Sequence, residues 1–125
     1  MGLGRSVVER EPEPRAGEIW IVDFDPQAGR RPALVVSNDH YNMARNSLFI
    51  VCPLTTRDRG LPYHVPVGPI AEVLPRPSFV MCEQVCAQDR SRFVERWGPA
   101  PMDARRTVRE VVSRFLDDLR GGGGE

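Results

Sequence analysis

The sequence predicts a small, strongly curved antiparallel barrel or sandwich with one helix packed on it, a mainly β fold. Three features point there. Five or six short runs rich in β-branched and aromatic residues follow one another between turn formers, and a single helical stripe closes the chain. The links between runs are too short for the crossovers of a dozen or more residues that parallel neighbours need. At 125 residues the chain has room for one domain with one modest core, drawn from the apolar 41%.

The runs come in order. EIWIVDF (18–24) ends at Asp25-Pro26, and ALVVS (33–37) opens just after Arg31-Pro32. SLFIVCPL (47–54) is a near-continuous apolar run stopped by the Thr-Thr-Arg-Asp-Arg-Gly turn. Tyr63–Val67 is weakened by Pro66, which suits an edge strand. SFVMCEQVCA (78–87) is the longest run and is expected as one strand, and FVERWG (93–98) follows as a sixth. From Val108 the period changes: Val108, Val111, Val112, Phe115, Leu116 and Leu119 form one face of a helix of about four to five turns. Asp103 is placed to cap its start, Arg114 and Arg120 sit near its negative end, and Gly121 closes it. The organisation expected is a flexible arm over 1–16, a folded domain over 17–120, and a flexible Gly-rich tail over 121–125.

Composition removes several kinds of chemistry. The 17 basic and 17 acidic residues cancel, so a polyanion must be met by a local patch. Every basic residue is arginine; without lysine, Schiff-base and P-loop chemistry are excluded. Cys52, Cys82 and Cys86 lie inside apolar runs and read as small buried hydrophobes in a reducing compartment. Two histidines without CxxC or HxxxH spacing indicate no metal site, and no cofactor motif is present. No apolar run approaches the roughly 18 residues of a membrane span, and the first fifteen residues are charged, so the expected location is cytoplasmic.

What remains is arginine and hydroxyl chemistry at strand ends. Between Gln27 and Pro62, Arg30, Arg31, Arg45, Arg57 and Arg59 face only Asp39 and Asp58. Arg31, Thr55, Thr56 and Arg57 supply the side chains that usually contact phosphate, although the same residues can simply solvate a barrel rim.

Read in order, GEIWIVDFDP, GRRPALVVSND, VCPLTTRDRGLPYHVPV, SFVMCEQV and the terminal helix resemble the MazF/PemK toxin family from about Gly17 to Leu119. The resemblance implies an SH3-like (PemK/CcdB-type) antiparallel β-barrel, a homodimer, and a metal-independent, sequence-specific endoribonuclease. It implies products ending in a 2′,3′-cyclic phosphate and a 5′-hydroxyl, and an antitoxin with an acidic, partly disordered segment that competes with single-stranded RNA for one cationic groove. Arg31, before Pro32, matches the family's catalytic arginine, and Thr55, after Pro53-Leu54, its catalytic threonine. In one branch an acid before a glutamine is the proposed general base. Here that is Glu83, followed by Gln84, although a structural or interface role is open to it as well. The arginine that branch carries two residues upstream of the acid is Met81 here, which shifts the acid role to Arg31. Arg30, Thr56, Arg57, Arg59 and Gln84 complete the expected RNA-binding set.

Chemically the set is coherent. Cleavage without a metal needs a deprotonated 2′-OH, a stabilised phosphorane and a protonated or polarised 5′-oxygen. A guanidinium is a poor base but a strong bidentate phosphate partner, and a threonine hydroxyl can donate to a non-bridging oxygen. His64 is a second candidate base by its ordinary titration range. Trp20, Phe24 and Tyr41 are available either for stacking on bases or for the core and dimer interface. Family members usually carry about five more residues before the Gly-x-Arg-Pro, so the lid over the groove is expected to be trimmed. Two alternatives stand beside the nuclease: a non-catalytic toxin of the same barrel that inhibits a topoisomerase, and an inactive RNA- or antitoxin-binding barrel.

Overall fold

Turn-bounded apolar runs become seven strands because the longest of them breaks in two. The structure, a computed structural model, describes residues 12–44 and 47–117. Its strands are β1 (Glu18–Asp23), β2 (Arg30–Val35), β3 (Leu48–Thr55), β4 (His64–Val67), β5 (Ser78–Met81), β6 (Cys86–Asp89) and β7 (Phe93–Pro99). Two α-helices accompany them, α1 (Asp39–Asn42) and α2 (Met102–Leu116). The strand order is β4-β5-β3-β2-β1-β7, with β6 also paired to β3 and every ladder antiparallel. The hydrogen-bonded path does not close, so the barrel is an open, curled sheet. Its curl is visible in the core, where Val65 and Val67 of β4 pack with Ile19 of β1 and Ala100 beyond β7.

The run 78–87 is not one strand. β3 pairs with β6 over Leu48–Val51 and with β5 at Leu54 and Thr55, and the register slips by three residues between the two ladders. The extra residues form a 3-10 turn, Cys82–Gln84, which bends the strand as a wide bulge does. That turn lifts Glu83 out of the sheet. The second strand also begins earlier than expected, at Arg30, with Pro32 inside it opposite Ile21.

Both sheet faces are covered, which is why the strands read as near-continuous apolar runs. Leu34, Cys52, Leu54 and Val80 pack under Val108 and Val111 of α2. Trp20, Val22, Ala33, Val35, Phe49, Val51 and Phe93 fill the other face, with Phe93 edge-on to Trp20 and Phe49. Each large buried side chain contributes on the order of 1.5–3 kcal/mol by leaving water.

Helix α2 starts one residue before the expected cap. Pro101 is the flanking residue, Asp103 lies in the first turn, and Asp117 ends the helix. The expected Leu119, Arg120 and Gly121 closure lies outside the described residues, as do 1–11 of the arm and the whole tail 121–125. Residues 12–16 are packed down: Pro14 is buried, the Ala16 N–H donates to Asp39 Oδ1 at 2.7 Å, and Glu13 pairs with Arg90 at 3.2 Å. Helix α1 was not foreseen in the sequence; Asn38 caps it through the Tyr41 N–H, and buried Asn42 bonds Ser37. No helix among the described residues is long and apolar enough to cross a membrane.

Candidate active site

A gap between β2 and β3 makes the site, and two prolines make the gap. The β2–β3 ladder runs from Val35–Val51 to Ala33–Pro53 and stops there. Neither Pro32 nor Pro53 has an N–H to extend it. The first half of β2 therefore pairs only with β1, through Asp23–Arg30, Val22–Arg31 and Ile21–Pro32. Two residues beyond the Ala33–Pro53 pair stand Arg31 on one strand and Thr55 on the other, on the same sheet face by the two-residue period.

Between them lies a cleft of 260 Å³. Arg30, Arg31, Thr55, Thr56 and Ser78 supply its polar wall, with Pro32 and Leu54 as apolar floor. Arg31 is half-buried and, among the described residues, has no carboxylate within 4 Å. Arg30 is exposed and lies 3.9 Å from Asp23, a weak surface pair. Thr55 Oγ1 accepts the Arg57 N–H at 3.1 Å, which leaves the hydroxyl hydrogen for another acceptor. Ser78 is buried and donates its hydroxyl to the Arg76 carbonyl at 3.0 Å, so its oxygen is left as an acceptor. It is the one polar lining residue that sequence reasoning missed. Only the β3–β5 pairing brings it there, and no local signal announces that pairing.

Other expected residues fall elsewhere. Arg57 and Arg59 are exposed in the loop after β3 and do not line the cleft. Asp58, between them, accepts the Gly60 N–H at 2.9 Å. Glu83 and Gln84 sit on the 3-10 turn, outside the cleft. There His64 Nε2 lies 3.1 Å from Glu83 Oε2, while Gln84 Nε2 reaches the same oxygen only at 3.5 Å. His64 itself is buried.

Trp20 is fully buried, with Nε1 donating to Glu18 Oε1 at 2.9 Å, so it is core and not a stacking platform. Phe24 packs against the same core, and Tyr41 is half-buried within α1. The β1–β2 connection is a tight turn, with Asp25 Oδ1 accepting the Gln27 and Ala28 N–H groups. No long lid leaves the sheet there. Cys52 and Cys82 are buried free thiols; burial pushes both up, Cys82 to about 12, so both stay protonated and unreactive.

An arginine with no carboxylate within 4 Å among the described residues and a hydroxyl with its hydrogen available line one cleft across a strand gap, an arrangement with the chemistry to bind an anion. A family model described as the PemK-like, MazF-like toxin of type II toxin-antitoxin systems matches residues 15–116. The chain belongs to the PemK-like, MazF-like toxin family. Among curated relatives of this toxin family, it is 44% identical over 69 residues to the probable endoribonuclease MazF1 of Mycobacterium tuberculosis. That match covers 51% of this chain and spans 64% of the relative's length, just under two thirds. Among solved structures it is similar to MazF from Deinococcus radiodurans, with a TM-score of 0.74 and 34% identity over 85% of this chain and 98% of that one. It is also similar to a chain of the MazE-MazF complex from the same organism, with a TM-score of 0.72 and 33% identity over 85% and 98%. A PemK-like fold is thus shown at both levels, by sequence and by shape.

Proposed function

We propose that the chain is the toxin of a type II toxin–antitoxin pair and acts as a metal-independent, sequence-specific endoribonuclease on single-stranded RNA. One observation carries the reading: Arg31 and Thr55 line the same cleft, with no carboxylate competing for the guanidinium among the described residues. The name of the M. tuberculosis relative, a probable endoribonuclease, agrees with it.

Arg31 binds two oxygens of the scissile phosphate through its planar fork, and Thr55 donates to a non-bridging oxygen as negative charge builds there. The ribose 2′-oxygen attacks phosphorus and the bond to the 5′-oxygen breaks, leaving a 2′,3′-cyclic phosphate and a 5′-hydroxyl. The 2′-OH proton leaves to Glu83, and the 5′-oxygen, polarised by Arg31, takes a proton from solvent. Glu83 lies four residues past Phe79, the partner of Thr55, on the 3-10 turn that follows β5. Arg30 and Thr56 flank the cleft, and Arg57, Arg59 and Gln84 extend the RNA track along the rim.

The same reading makes the working unit a cytoplasmic homodimer, and its inhibitor an antitoxin whose acidic, partly disordered segment folds over the arginines. A MazE-MazF complex from D. radiodurans is among the solved structures this chain resembles, which supports such a pairing. The test is incubation of purified protein with a long single-stranded RNA in EDTA, followed by mapping of the new ends. Discrete cuts ending in cyclic phosphate are expected. Intact RNA, with growth arrest on expression, overturns the nuclease in favour of a toxin that acts by binding alone.

A further inference from the structure

We infer that His64 is a positioning residue that holds the Glu83 carboxylate in place for proton abstraction; this rests on the assignment of Glu83 as general base. The imidazole lies in β4 with its side chain only 3% exposed, and its Nε2 is 3.1 Å from Glu83 Oε2. A carboxylate only accepts, so Nε2 carries the hydrogen. The other ring nitrogen, Nδ1, is buried with no hydrogen-bond partner among the described residues. A ring kept only for packing is better replaced by an apolar side chain, since an orphaned buried polar atom is costly. The bond to Glu83 is therefore the polar task this histidine performs.

Its surroundings make it a rigid anchor. Tyr63 stands edge-on to the imidazole at 5.6 Å and edge-on to Phe115 of α2 at 5.8 Å, so the ring is held from the helix side. His64 faces Met81 in the β4–β5 ladder, which carries it to the end of β5 where the chain turns outward. Glu83, by contrast, rides on a three-residue turn closed by a single long hydrogen bond, from the Val85 N–H to the Cys82 carbonyl at 3.4 Å. A carboxylate on so slight a turn needs an external partner to keep one rotamer. With Oε2 held by His64 and 31% of the side chain still exposed, the group stays open to a substrate while its direction is set.

The experiment is single-turnover cleavage of an RNA oligomer in EDTA over a range of protein concentrations, which separates the saturating rate from the half-saturation point. Four variants are compared after circular dichroism has shown them folded: Glu83→Gln, His64→Leu, His64→Gln, and His64→Leu combined with Glu83→Gln. Glu83→Gln is expected to slow the saturating rate about 100-fold. His64→Leu slows it about 10-fold with half-saturation unchanged, and His64→Gln, whose amide N–H replaces the Nε2 donor, recovers most of that loss. The double variant is no slower than Glu83→Gln alone, because the histidine acts only through the glutamate.

A folded His64→Leu at full rate, or a His64→Leu loss that persists with Gln at position 83, overturns the inference while leaving Glu83 as base. Full activity in Glu83→Gln removes the base assignment itself, and the inference falls with it. Should His64→Leu not fold, nitrogen NMR of the imidazole in the unmodified protein decides the point. A hydrogen on Nε2 with bare Nδ1 supports the inference, and a hydrogen on Nδ1 with bare Nε2 overturns it.

Discussion

Thr55 takes the Arg57 backbone N–H onto its side-chain oxygen at 3.1 Å, and this one bond decides which way its hydroxyl can act. With an acceptor site already used, the hydroxyl serves the cleft as a donor. Loss of one preorganised donor to a developing oxyanion costs roughly 100-fold or more in rate. Thr55→Ala is accordingly expected to slow RNA cleavage by at least ~100-fold at unchanged melting temperature, whereas Thr55→Ser stays within a few-fold of the parent. Loss of activity in the serine variant equal to that in alanine would show that the methyl group, not the hydroxyl, is what matters.

Arg31 is predicted to resist conservative replacement. Arg31→Ala removes the cleft's unpaired cation, and Arg31→Lys restores the charge without the planar fork that holds two phosphate oxygens at once. The expected order of cleavage rates is parent, then lysine, then alanine, with lysine recovering only part of the loss. A lysine variant as fast as the parent would reduce the role of Arg31 to a point charge.

Acid sensitivity has an identifiable source at the end of β6. Asp89 is held down at about 2, from an ordinary 3.8, by the Ser91 hydroxyl and N–H and by the Ser47 hydroxyl. A carboxyl lowered in the folded state adds stability that is complete above its ordinary range and is lost as pH falls from about 4 towards 2. Asp89→Asn is expected to lower the melting temperature at neutral pH, with the gap to the parent narrowing below pH 4. A gap that stays constant down to pH 2 would move the acid sensitivity elsewhere.

Gly98 tests the β1–β7 seam. Its φ is +140°, it lies beside a register irregularity opposite Ile19, and a Cβ there would come within 2.7 Å of Val73 Cγ2. Both the backbone and the contact oppose a side chain, so Gly98→Ala is expected to cost on the order of 1–3 kcal/mol in chemical denaturation. An unchanged midpoint would mean that the strand relaxes around the new methyl group.

The parts of the fold that were legible in the sequence are those with local causes. β1 and β3 announce themselves because their apolar runs end at strong turn formers, Asp25-Pro26 and the Thr55–Gly60 stretch, and α2 because Val108, Val111 and Val112 keep a helical period. The break at Cys82–Gln84 was not legible, because it arises from a change of register against β3, about thirty residues away in sequence. Helix α1 was missed for the opposite reason: at four residues it is too short to show a period, and its signal is confined to the Asn38 cap. In the site, Arg31 and Thr55 stood out by residue type and by the prolines beside them. Ser78 and the His64–Glu83 contact depend on strand pairing and a bulge, so neither leaves a mark in the local sequence.

The most direct test of the central claim is a double-mutant cycle on Arg31 and Thr55, read as single-turnover RNA cleavage in EDTA. Two groups that stabilise one phosphate do not act independently, so the combined Arg31→Ala, Thr55→Ala variant is predicted to be far less impaired than the product of the two single losses. Two large losses that multiply would place the side chains on different steps or different phosphates, and a single variant cleaving at the parent rate would contradict the shared site outright.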